Sequence, residues 1–513
     1  MIDRDSVRSN AKYLRNVRPV DPDEIAEYVE GHPHPGVVRT VLREEAFDLG
    51  LVEREDGTFV PVPEEPVSPP NWRPEAFPDA YAFAVEDLLV GRHGANWHLG
   101  ESGDALREAV RRLKTDYLYG NDVEYDETAA LGYALYHLPD YYATTGYVLD
   151  DLAENGLLPR KLRVLDVGAG VGSPALGLHD YLPEDSLVDY HAVEPSAAAD
   201  VLDRLVEETT RNFHTTVHRT TAEELDLDEL VGGEGGDAAS ADDGGADTDA
   251  AAFDLVLFGN VLSELGDPVA VVERYLDVLA SDGSLVAIAP ADLETSTGLR
   301  EVERAVAPVG GDVTVYSPTL RLWDGETPSD RGWSFDVRDD LAVPGFQRRL
   351  DEGAGMAGQD AGSDADHEPG EFVNVDVQFS YSILRLDGAR RLDVRASPER
   401  HAKMAEMERH VTERIDLAAV KLSHDLAARR RESGGNRGDR DDDPNPLFKI
   451  SDGSESVEHY AVLTRESALN RDLLEAPYGA VLAFENVLCL WNDDEEAYNL
   501  VVDGETVVDL VAV

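Results

Sequence analysis

The chain has 513 residues, enough for about three or four domains and a sizeable hydrophobic core. Its 104 acidic residues against 45 basic ones give a formal net charge of -59. That balance would argue against a nucleic-acid partner at low salt but not in molar salt, where the Debye length is about 3 Å. The single cysteine, Cys489, excludes an intrachain disulfide and any multi-cysteine metal site within this chain, and we expect it to be a small buried residue.

The acidic residues are spread over the whole chain and arginine is preferred to lysine, which is typical of proteins from salt-loving archaea. No apolar run approaches the roughly 18 residues of a membrane-spanning helix, and no basic start precedes an apolar run as in a signal peptide. We therefore expect a cytoplasmic protein that does not enter a membrane.

The start of the chain departs from this acidic background, because five basic residues recur there at roughly helical spacing: Arg4, Arg8, Lys12, Arg15 and Arg18. They predict a helix with one basic face. That face either pairs with acids elsewhere in the chain or contacts phosphates.

Two helices and a hairpin are predicted next. Asp21 can cap a helix that begins at Pro22, and a second helix is expected over 36–48. Two short strands around Glu55-Asp56-Gly57 predict the hairpin. This is the outline of a winged-helix-like module over residues 1–65, for which nucleic-acid binding, protein docking and a structural role all stay open.

Residues 66–150 are predicted to be helical and to roof the central site of the chain. The landmark is the aromatic stretch 131–144, which predicts a packed helix pair interrupted at Pro139. Tyr136, His137 and Tyr141 either pack within it or face a substrate. A histidine just before a proline-ended helix is more often structural than catalytic.

The central stretch is a short apolar strand over 163–167, a glycine turn and a helix over 175–181. The turn has the order Asp-x-Gly-x-Gly-x-Gly, and its candidate binding residues are Asp166, Gly168, Ala169, Gly170 and Gly172. Glycines between a strand and a helix let a ligand approach the backbone. Alone, this spacing also fits a dinucleotide site or a purely structural turn.

A second strand, 188–193, ends in Glu194, which is placed to accept both ribose hydroxyls of an adenosine-containing cofactor. The glycine turn followed by a strand-end glutamate resembles the class I S-adenosylmethionine-dependent methyltransferases. A dinucleotide domain usually carries its third glycine one residue later. The resemblance implies S-adenosylmethionine as cofactor, with Asp166 holding the donor's amino group or orienting the turn.

The alternation of strands and helices continues over 197–211, 215–219, 253–258, 268–280 and 284–289. Five strands alternating with helices predict an α/β, Rossmann-like class I methyltransferase fold with a mostly parallel, doubly wound sheet over 151–390. Thr221 and Ala222, in the loop after the third strand, are expected in the pocket wall. Asn260, at the end of the fourth strand, is expected beside the methionine end of the cofactor or the methyl acceptor.

Three segments are similar to one narrower family, the methyltransferase-like proteins associated with the small ribosomal subunit, including the mitochondrial one. They are Leu138-Pro-Asp-Tyr-Tyr-Ala143, Asn260-Val-Leu-Ser-Glu-Leu265 and Phe379-Ser-Tyr-Ser-Ile-Leu-Arg385. The similarity covers about residues 75–390. It implies RNA or the small ribosomal subunit as partner.

The chain departs from that family at its cysteines. The family commonly carries a cysteine cluster, in Cys-Pro and Trp-Cys contexts, that is thought to ligate iron and sulfur. Here Ser317 stands before Pro318 and Ser334 follows Trp333. Serine is a poor ligand for such a cluster, so no metal is expected.

The remaining elements are predicted from composition and period. Strands over 372–379 and 379–386 are expected to form the antiparallel end of the sheet, and a long helix is expected over 391–431. Low-complexity segments at about 232–251, 351–371 and 432–446 are expected to be disordered. Residues 447–513 predict a small β domain, and a closed barrel of the oligonucleotide-binding kind fits the strand pattern. Three aromatic residues there either stack on bases or pack in the core, namely Phe484, Trp491 and Tyr498.

Three functions follow from these patterns. The first is an S-adenosylmethionine-dependent methyltransferase acting on ribosomal or other RNA. The second is a non-catalytic ribosome-assembly factor that binds the cofactor, and the third is a small-molecule methyltransferase. No Asn-Pro-Pro-Tyr signature and no catalytic cysteine is present, so Asn260 is the single acceptor-side candidate.

Overall fold

The computed structural model describes residues 2–119, 123–232, 252–325, 333–356, 367–428 and 444–513. Contacts between Cα atoms divide the chain into two compact units. The first unit contains residues 1–259 and 340–377, and the second contains residues 260–339 and 378–513.

The helices among the described residues are α1 (Arg4–Leu14), α2 (Pro22–Tyr28), α3 (Pro35–Glu44), α4 (Ala46–Leu49), α5 (Asp79–His93), α6 (Gly100–Tyr119), α7 (Glu127–Ala153), α8 (Ser173–Tyr181), α9 (Ala198–Val206), α10 (Leu227–Gly232), α11 (Pro268–Leu276), α12 (Leu293–Val306), α13 (Gly345–Met356) and α14 (Asp472–Glu475). Short 3-10 helices lie at Leu262–Glu264 and Met404–His410. Within the described part of the chain, none of these helices is long and apolar enough to cross a membrane.

The strands are β1 (Leu51–Glu53), β2 (Phe59–Pro61), β3 (Lys161–Val167), β4 (Leu187–Val193), β5 (Phe213–His218), β6 (Phe253–Gly259), β7 (Leu279–Pro290), β8 (Thr314–Ser317), β9 (Asp336–Val337), β10 (Gln378–Arg385), β11 (Arg414–Lys421), β12 (Leu447–Ser451), β13 (His459–Leu463), β14 (Val481–Asn492), β15 (Ala497–Val502) and β16 (Val507–Ala512).

The first unit begins with four helices and a hairpin, close to the predicted elements. The Asp21 carboxylate accepts a hydrogen bond from the Asp23 amide, and Pro22 is the first residue of α2. The predicted second helix is divided at Glu45 into α3 and α4, and Gly50 ends α4 in the left-handed region. β1 and β2 pair antiparallel as the hairpin.

The basic face of α1 lies against acids of the next helices. Arg4 forms an ion pair with Glu44, and Arg8 Nη1 lies 3.1 Å from an oxygen of Glu45. Of the two predicted roles for this face, the structure shows the pairing with acids of the same chain.

The central sheet of the first unit has four parallel strands in the order β5-β4-β3-β6. Val164, Leu165 and Val167 of β3 are fully buried, as expected for a strand covered on both faces. β3 and β4 pair in register up to Val167 opposite Val193. Their carboxyl ends therefore stop at the same level, where a ligand binds in sheets of this kind.

The predicted helix pair is wrong, because the segment forms a single helix, α7, from Glu127 to Ala153. Pro139 lies inside this helix and does not end it. A proline has no N–H group, so the carbonyl of Leu135, four residues earlier, loses its helical donor. The Gln347 side-chain amide donates to that carbonyl at 2.9 Å and to the Tyr136 carbonyl at 3.3 Å. The helix continues because a distant glutamine replaces the missing donor.

The second unit contains the antiparallel strands. β10 pairs with β7, β8 and β9, so the predicted antiparallel end strand over 379–386 is confirmed as β10. The predicted partner strand over 372–379 is wrong, because residues 372–377 form no strand and β10 pairs with β7, β8 and β9. Phe372 and Val377 are buried in irregular chain, which shows that burial produced the strand-like pattern.

The carboxyl-terminal part of the second unit is a closed barrel. Five strands follow the order β11-β12-β13-β15-β14, and β14 pairs back with β11. β13 and β15 are parallel, and the other neighbouring strands are antiparallel. β16 pairs antiparallel with residues 481–485 of β14. The predicted small β domain is thus confirmed as a closed barrel, and its oligonucleotide-binding kind stays a prediction. Cys489 is buried there, as predicted.

The predicted long helix over 391–431 is wrong, because this segment contains a 3-10 helix followed by β11. Ile415, Leu417 and Ala419 face the barrel core, while Ala418 and Val420 belong to a second apolar cluster on the other side of the strand. A strand buried on both faces gives a continuous apolar run, and periodicity alone cannot distinguish such a run from a buried helix.

Parts of one predicted disordered segment are ordered. α13 extends to Met356, and the guanidinium of Arg111 binds both carboxylate oxygens of Glu371 at 2.6 and 2.9 Å. The rest of that segment, residues 357–366, lies outside the described residues, as do 233–251 and 429–443.

Leu417→Ala tests the two-sided burial of β11. Leu417 is fully buried, so we expect the free energy of unfolding of the carboxyl-terminal barrel to fall by about 2–5 kcal/mol. Leu510→Ala on β16 is the matched control, since Leu510 is 42% exposed and its truncation should cost less than about 0.5 kcal/mol. Equal losses in equilibrium denaturation would contradict this assignment of the core.

Candidate functional site

Two glycines of the turn after β3, Gly170 and Gly172, have different surroundings. Gly172 has a φ of 96°, and a Cβ there would lie 2.5 Å from Leu202 Cδ1, so backbone conformation and packing both require glycine. Gly170 has a φ of 54°, but a Cβ there would meet no atom closer than 4.0 Å. The space beside Gly170 is therefore open, and a ligand can approach the backbone at this point.

The turn is bonded to the end of β4. The amides of Gly168 and Ala169 donate to the Val193 carbonyl at 2.9 and 3.0 Å, and the Gly170 amide donates to Glu194 Oε2 at 2.9 Å. The structure thus brings the predicted glycines and Glu194 together. Because these amides are used within the protein, the turn does not offer them to a pyrophosphate, which dinucleotide sites bind through such N–H groups.

Glu194 is held firmly at the strand end. Its Oε1 accepts from the Ser196 amide at 2.9 Å, and its own amide donates to the His218 carbonyl at the end of β5. Each carboxylate oxygen has a second lone pair, so two acceptor positions remain for hydroxyl groups of a ligand. This capacity matches the predicted binding of two ribose hydroxyls.

Asp166 lies beneath the turn and is fully buried. Tyr190 Oη donates to its Oδ2 at 2.6 Å, and among the described residues Oδ1 has no hydrogen-bond partner. Burial raises the pKa of Asp166 to about 7, against the lowering effect of the Tyr190 bond and with added repulsion from Glu194. Of its two predicted roles, orienting the turn fits a fully buried carboxyl better.

Thr221 and Ala222 follow β5 as predicted. The Thr221 hydroxyl accepts from the Glu224 amide at 3.3 Å, which forms a short turn, and Ala222 is buried. The bond from Glu194 to His218 brings the start of this loop to the strand-end glutamate. The place of Thr221 and Ala222 in the wall of the cofactor pocket stays a prediction.

Asn260 is the residue after β6 and the first of the second unit. Its φ is 61°, a strained conformation for a residue other than glycine, and its amide donates to the Ile288 carbonyl at 2.9 Å. Its side-chain oxygen is buried without a hydrogen-bond partner in the described part of the chain. Such a strained residue with an unused polar atom is typical of a binding site.

The sequence prediction did not identify the side chains that fix the roof helix. Asn374 Nδ2 lies 3.1 Å from the Tyr136 carbonyl and 3.4 Å from His137 Nδ1, and Gln347 binds the neighbouring turn. Both residues are more than two hundred positions away from the α7 residues that they bind. Pro139 inside a helical pattern was the available signal that some donor had to be supplied there.

The serines that replace the family's cysteines lie in the second unit, within hydrogen-bonded structure. Ser317 Oγ is 3.2 Å from the Tyr381 hydroxyl, and the Ser334 carbonyl accepts from Ser380 Oγ at 2.5 Å. Across the described ranges, no three histidine, cysteine, aspartate or glutamate side chains are grouped as a metal site would require.

Comparison with known proteins identifies the central domain. Residues 165–285 match the model of a methyltransferase domain. Residues 4–55 and 405–511 match the amino-terminal and carboxyl-terminal domains of a domain of unknown function, DUF8157. No curated protein matches the chain.

Similar solved structures are methyltransferases of low identity. The plantazolicin methyltransferase BamL, solved with a triazolic desmethylPZN analog and SAH, has 10% identity and a TM-score of 0.27, covering 60% of this chain and 98% of its own. The sugar N-methyltransferase KedS8 of Streptoalloteichus has 20% identity and a TM-score of 0.20, covering 29% and 47%. A SAM-dependent methyltransferase of Aquifex aeolicus has 17% identity and a TM-score of 0.20, covering 31% and 66%. Such TM-scores give no basis for assigning an acceptor.

The domain match confirms the predicted Rossmann-like class I methyltransferase fold and the enzyme class, with S-adenosylmethionine as the methyl donor. The residues present fit this donor. The open space at Gly170 and the remaining acceptor positions of Glu194 suit a ligand with hydroxyl groups and no pyrophosphate.

Asp166→Asn tests the buried carboxyl. Because its folded pKa is raised to about 7 while the unfolded value is about 4, the folded state binds the extra proton between these values. Wild-type stability should therefore decline between about pH 4 and pH 7, by about 1.4 kcal/mol per unit from this group, and the variant should lack that component. Denaturation curves of both proteins across this range measure it.

The control is Glu27→Gln, which changes an exposed carboxylate of α2. It should leave the wild-type pH dependence in place. If the free energy of unfolding changed equally with pH in Asp166→Asn and in the wild type, a group other than Asp166 would cause the pH dependence.

Proposed function

We propose that this protein is an S-adenosylmethionine-dependent methyltransferase that acts on RNA of the small ribosomal subunit. One observation supports S-adenosylmethionine as the methyl donor. The amides of Gly168, Ala169 and Gly170 are hydrogen-bonded to the end of β4, beside Glu194. The RNA part is supported by the sequence resemblance over residues 75–390 and by the strand order of the carboxyl-terminal barrel.

The donor supplies a methyl group that is already activated on a sulfonium sulfur. The protein's task is then to align donor and acceptor, exclude water and accept a proton if the acceptor carries one. Glu194 would hold the ribose hydroxyls, and the open space at Gly170 would admit the donor against the backbone.

The barrel offers an aromatic pair for RNA. Trp491 is 38% exposed, and its ring centroid lies 4.8 Å from that of Tyr498 at an angle of 65°. Exposed aromatic rings can stack on bases without reading their sequence. Phe484, the third predicted stacking residue, is in the barrel core and packs there.

Glu194→Ala tests the donor site. Losing a charged hydrogen-bond acceptor for the ribose should weaken S-adenosylmethionine binding about 10- to 100-fold in calorimetry. Glu184→Ala is the matched control, because Glu184 is an exposed acid just before β4, at the opposite end of that strand. An absence of binding heat with the wild-type protein would overturn the donor assignment.

A methylation map of ribosomal RNA tests the acceptor. Cells that lack the protein should lose methylation at a small-subunit position, the wild-type gene should restore it, and Glu194→Ala should not. Unchanged methylation together with defective small subunits would instead support a non-catalytic assembly factor. Labelled methyl groups transferred only in an RNA-free extract would support a small-molecule methyltransferase.

A further inference from the structure

Five aromatic rings gather on one side of α7 in the first unit, at Tyr117, Tyr125, Tyr133, His137 and Tyr141. The His137 ring stacks on Tyr141 with centroids 5.2 Å apart and an angle of 5°, and it lies 5.1 Å from Tyr133. Tyr117 meets His137 at 6.1 Å, and Tyr125 meets Tyr133 at 5.8 Å. We call these five residues the ring cluster.

The ring cluster is not sealed inside the protein. All five of its residues are half-buried, whereas the tyrosines of the neighbouring core, such as Tyr81 and Tyr142, are buried. Rings needed for core packing alone would normally be buried as those are.

The ring cluster lies close to the donor site. The Tyr125 carbonyl accepts from the Ala197 amide at 3.4 Å, and Ala197 is three residues after Glu194. Ser196, between them, donates its amide to Glu194 Oε1. A ligand at Glu194 and one at the ring cluster would therefore be neighbours.

His137 is oriented on one side and available on the other. Its Nδ1 lies 3.4 Å from Asn374 Nδ2 and 3.8 Å from Asp140 Oδ2. Within the described residues its Nε2 has no hydrogen-bond partner, and 15% of the side chain is exposed. Nε2 can accept a proton in the tautomer whose Nδ1–H faces the Asp140 carboxyl, because a ring whose Nδ1 accepted from the Asn374 amide would already carry its proton on Nε2.

Charges of both signs lie near the ring cluster. Lys114 Nζ lies 4.1 Å from the ring centroid of Tyr136, which itself meets the His137 ring edge-on at 4.8 Å, and the Asp140 carboxyl lies 3.8 Å from His137 Nδ1. The ammonium group opposes a cationic ligand and the carboxyl opposes an anionic one, whereas a neutral planar ring meets neither repulsion.

We propose that the ring cluster is the methyl-acceptor site, that it takes a neutral planar heteroaromatic group by stacking, and that His137 Nε2 receives the acceptor's proton. This rests on the proposed methyl transfer. The acceptor nitrogen or oxygen forms a bond to the methyl carbon while the carbon–sulfur bond breaks. The electron pair of that bond stays on sulfur, and the acceptor's proton passes to Nε2. A nucleobase and a small heteroaromatic molecule share this chemistry.

The test uses full-length protein, tritiated S-adenosylmethionine and two acceptor preparations from cells lacking the protein, namely total RNA and an RNA-free extract. His137→Asn should lower the maximal transfer rate at least 100-fold while the donor's dissociation constant changes less than 3-fold. Tyr141→Ala should raise the acceptor concentration needed for half-maximal rate about 10-fold, and Tyr141→Phe should stay within 3-fold of the wild type.

Phe83→Ala, which removes a 63% exposed ring of α5, is the matched control and should change neither quantity. Donor binding and thermal unfolding confirm that each variant is folded, and His137→Gln provides a second substitution if His137→Asn is not.

Four outcomes are distinguishable. Transfer to RNA that is lost in His137→Asn supports both proposals, and transfer only in the RNA-free extract that is lost in this variant supports the ring cluster but not the RNA acceptor. If the folded His137 variants transfer methyl groups at the wild-type rate, the role of the ring cluster is overturned and the proposed methyltransferase function stands. No transfer by the wild-type protein to either preparation overturns the proposed enzyme and the inference together.

Discussion

The fold of the candidate donor site depends on three hydrogen bonds of 2.9 to 3.0 Å between the glycine turn and the end of β4. The register of β3 and β4 places Val167 opposite Val193, so the turn begins where Glu194 follows. The amides of the turn then have one set of acceptors within reach, the Val193 carbonyl and the Glu194 carboxylate. A buried amide without an acceptor would cost about 1–3 kcal/mol, so this pairing fixes the turn before any ligand arrives.

The same bonds explain why this turn suits one cofactor better than another. A dinucleotide site leaves its turn amides free for a pyrophosphate, while here they are used by the protein itself. The negative charge of Glu194 at the turn would also repel a pyrophosphate, but it can accept hydroxyl groups. The third glycine, Gly172, is required by its positive φ and by its close approach to Leu202.

The parallel sheet and the glycine turn beside Glu194 could be predicted from the sequence because their patterns are local. A buried strand, a glycine turn and a strand-end acid occupy fewer than 35 consecutive residues, and each has its own pattern. The support of α7 could not be predicted, because nothing near Pro139 indicates that Gln347 will bind the Leu135 carbonyl. β11 was mistaken for a helix for another reason, since its two buried faces remove the alternation that marks a strand.

The charge of the chain bears on how an RNA acceptor would be recognised. Several of its arginines are already committed to acids of the same chain, as in the buried pair of Arg300 and Glu303 and the two bonds from Arg43 to Glu53. Phosphate attraction is thus a weak source of affinity for a chain with a net charge of -59. Stacking on aromatic rings needs no cation and acts at contact distance, where salt screening matters little. The half-buried rings beside Glu194 and the exposed Trp491 of the barrel are the surfaces on which this kind of recognition would depend.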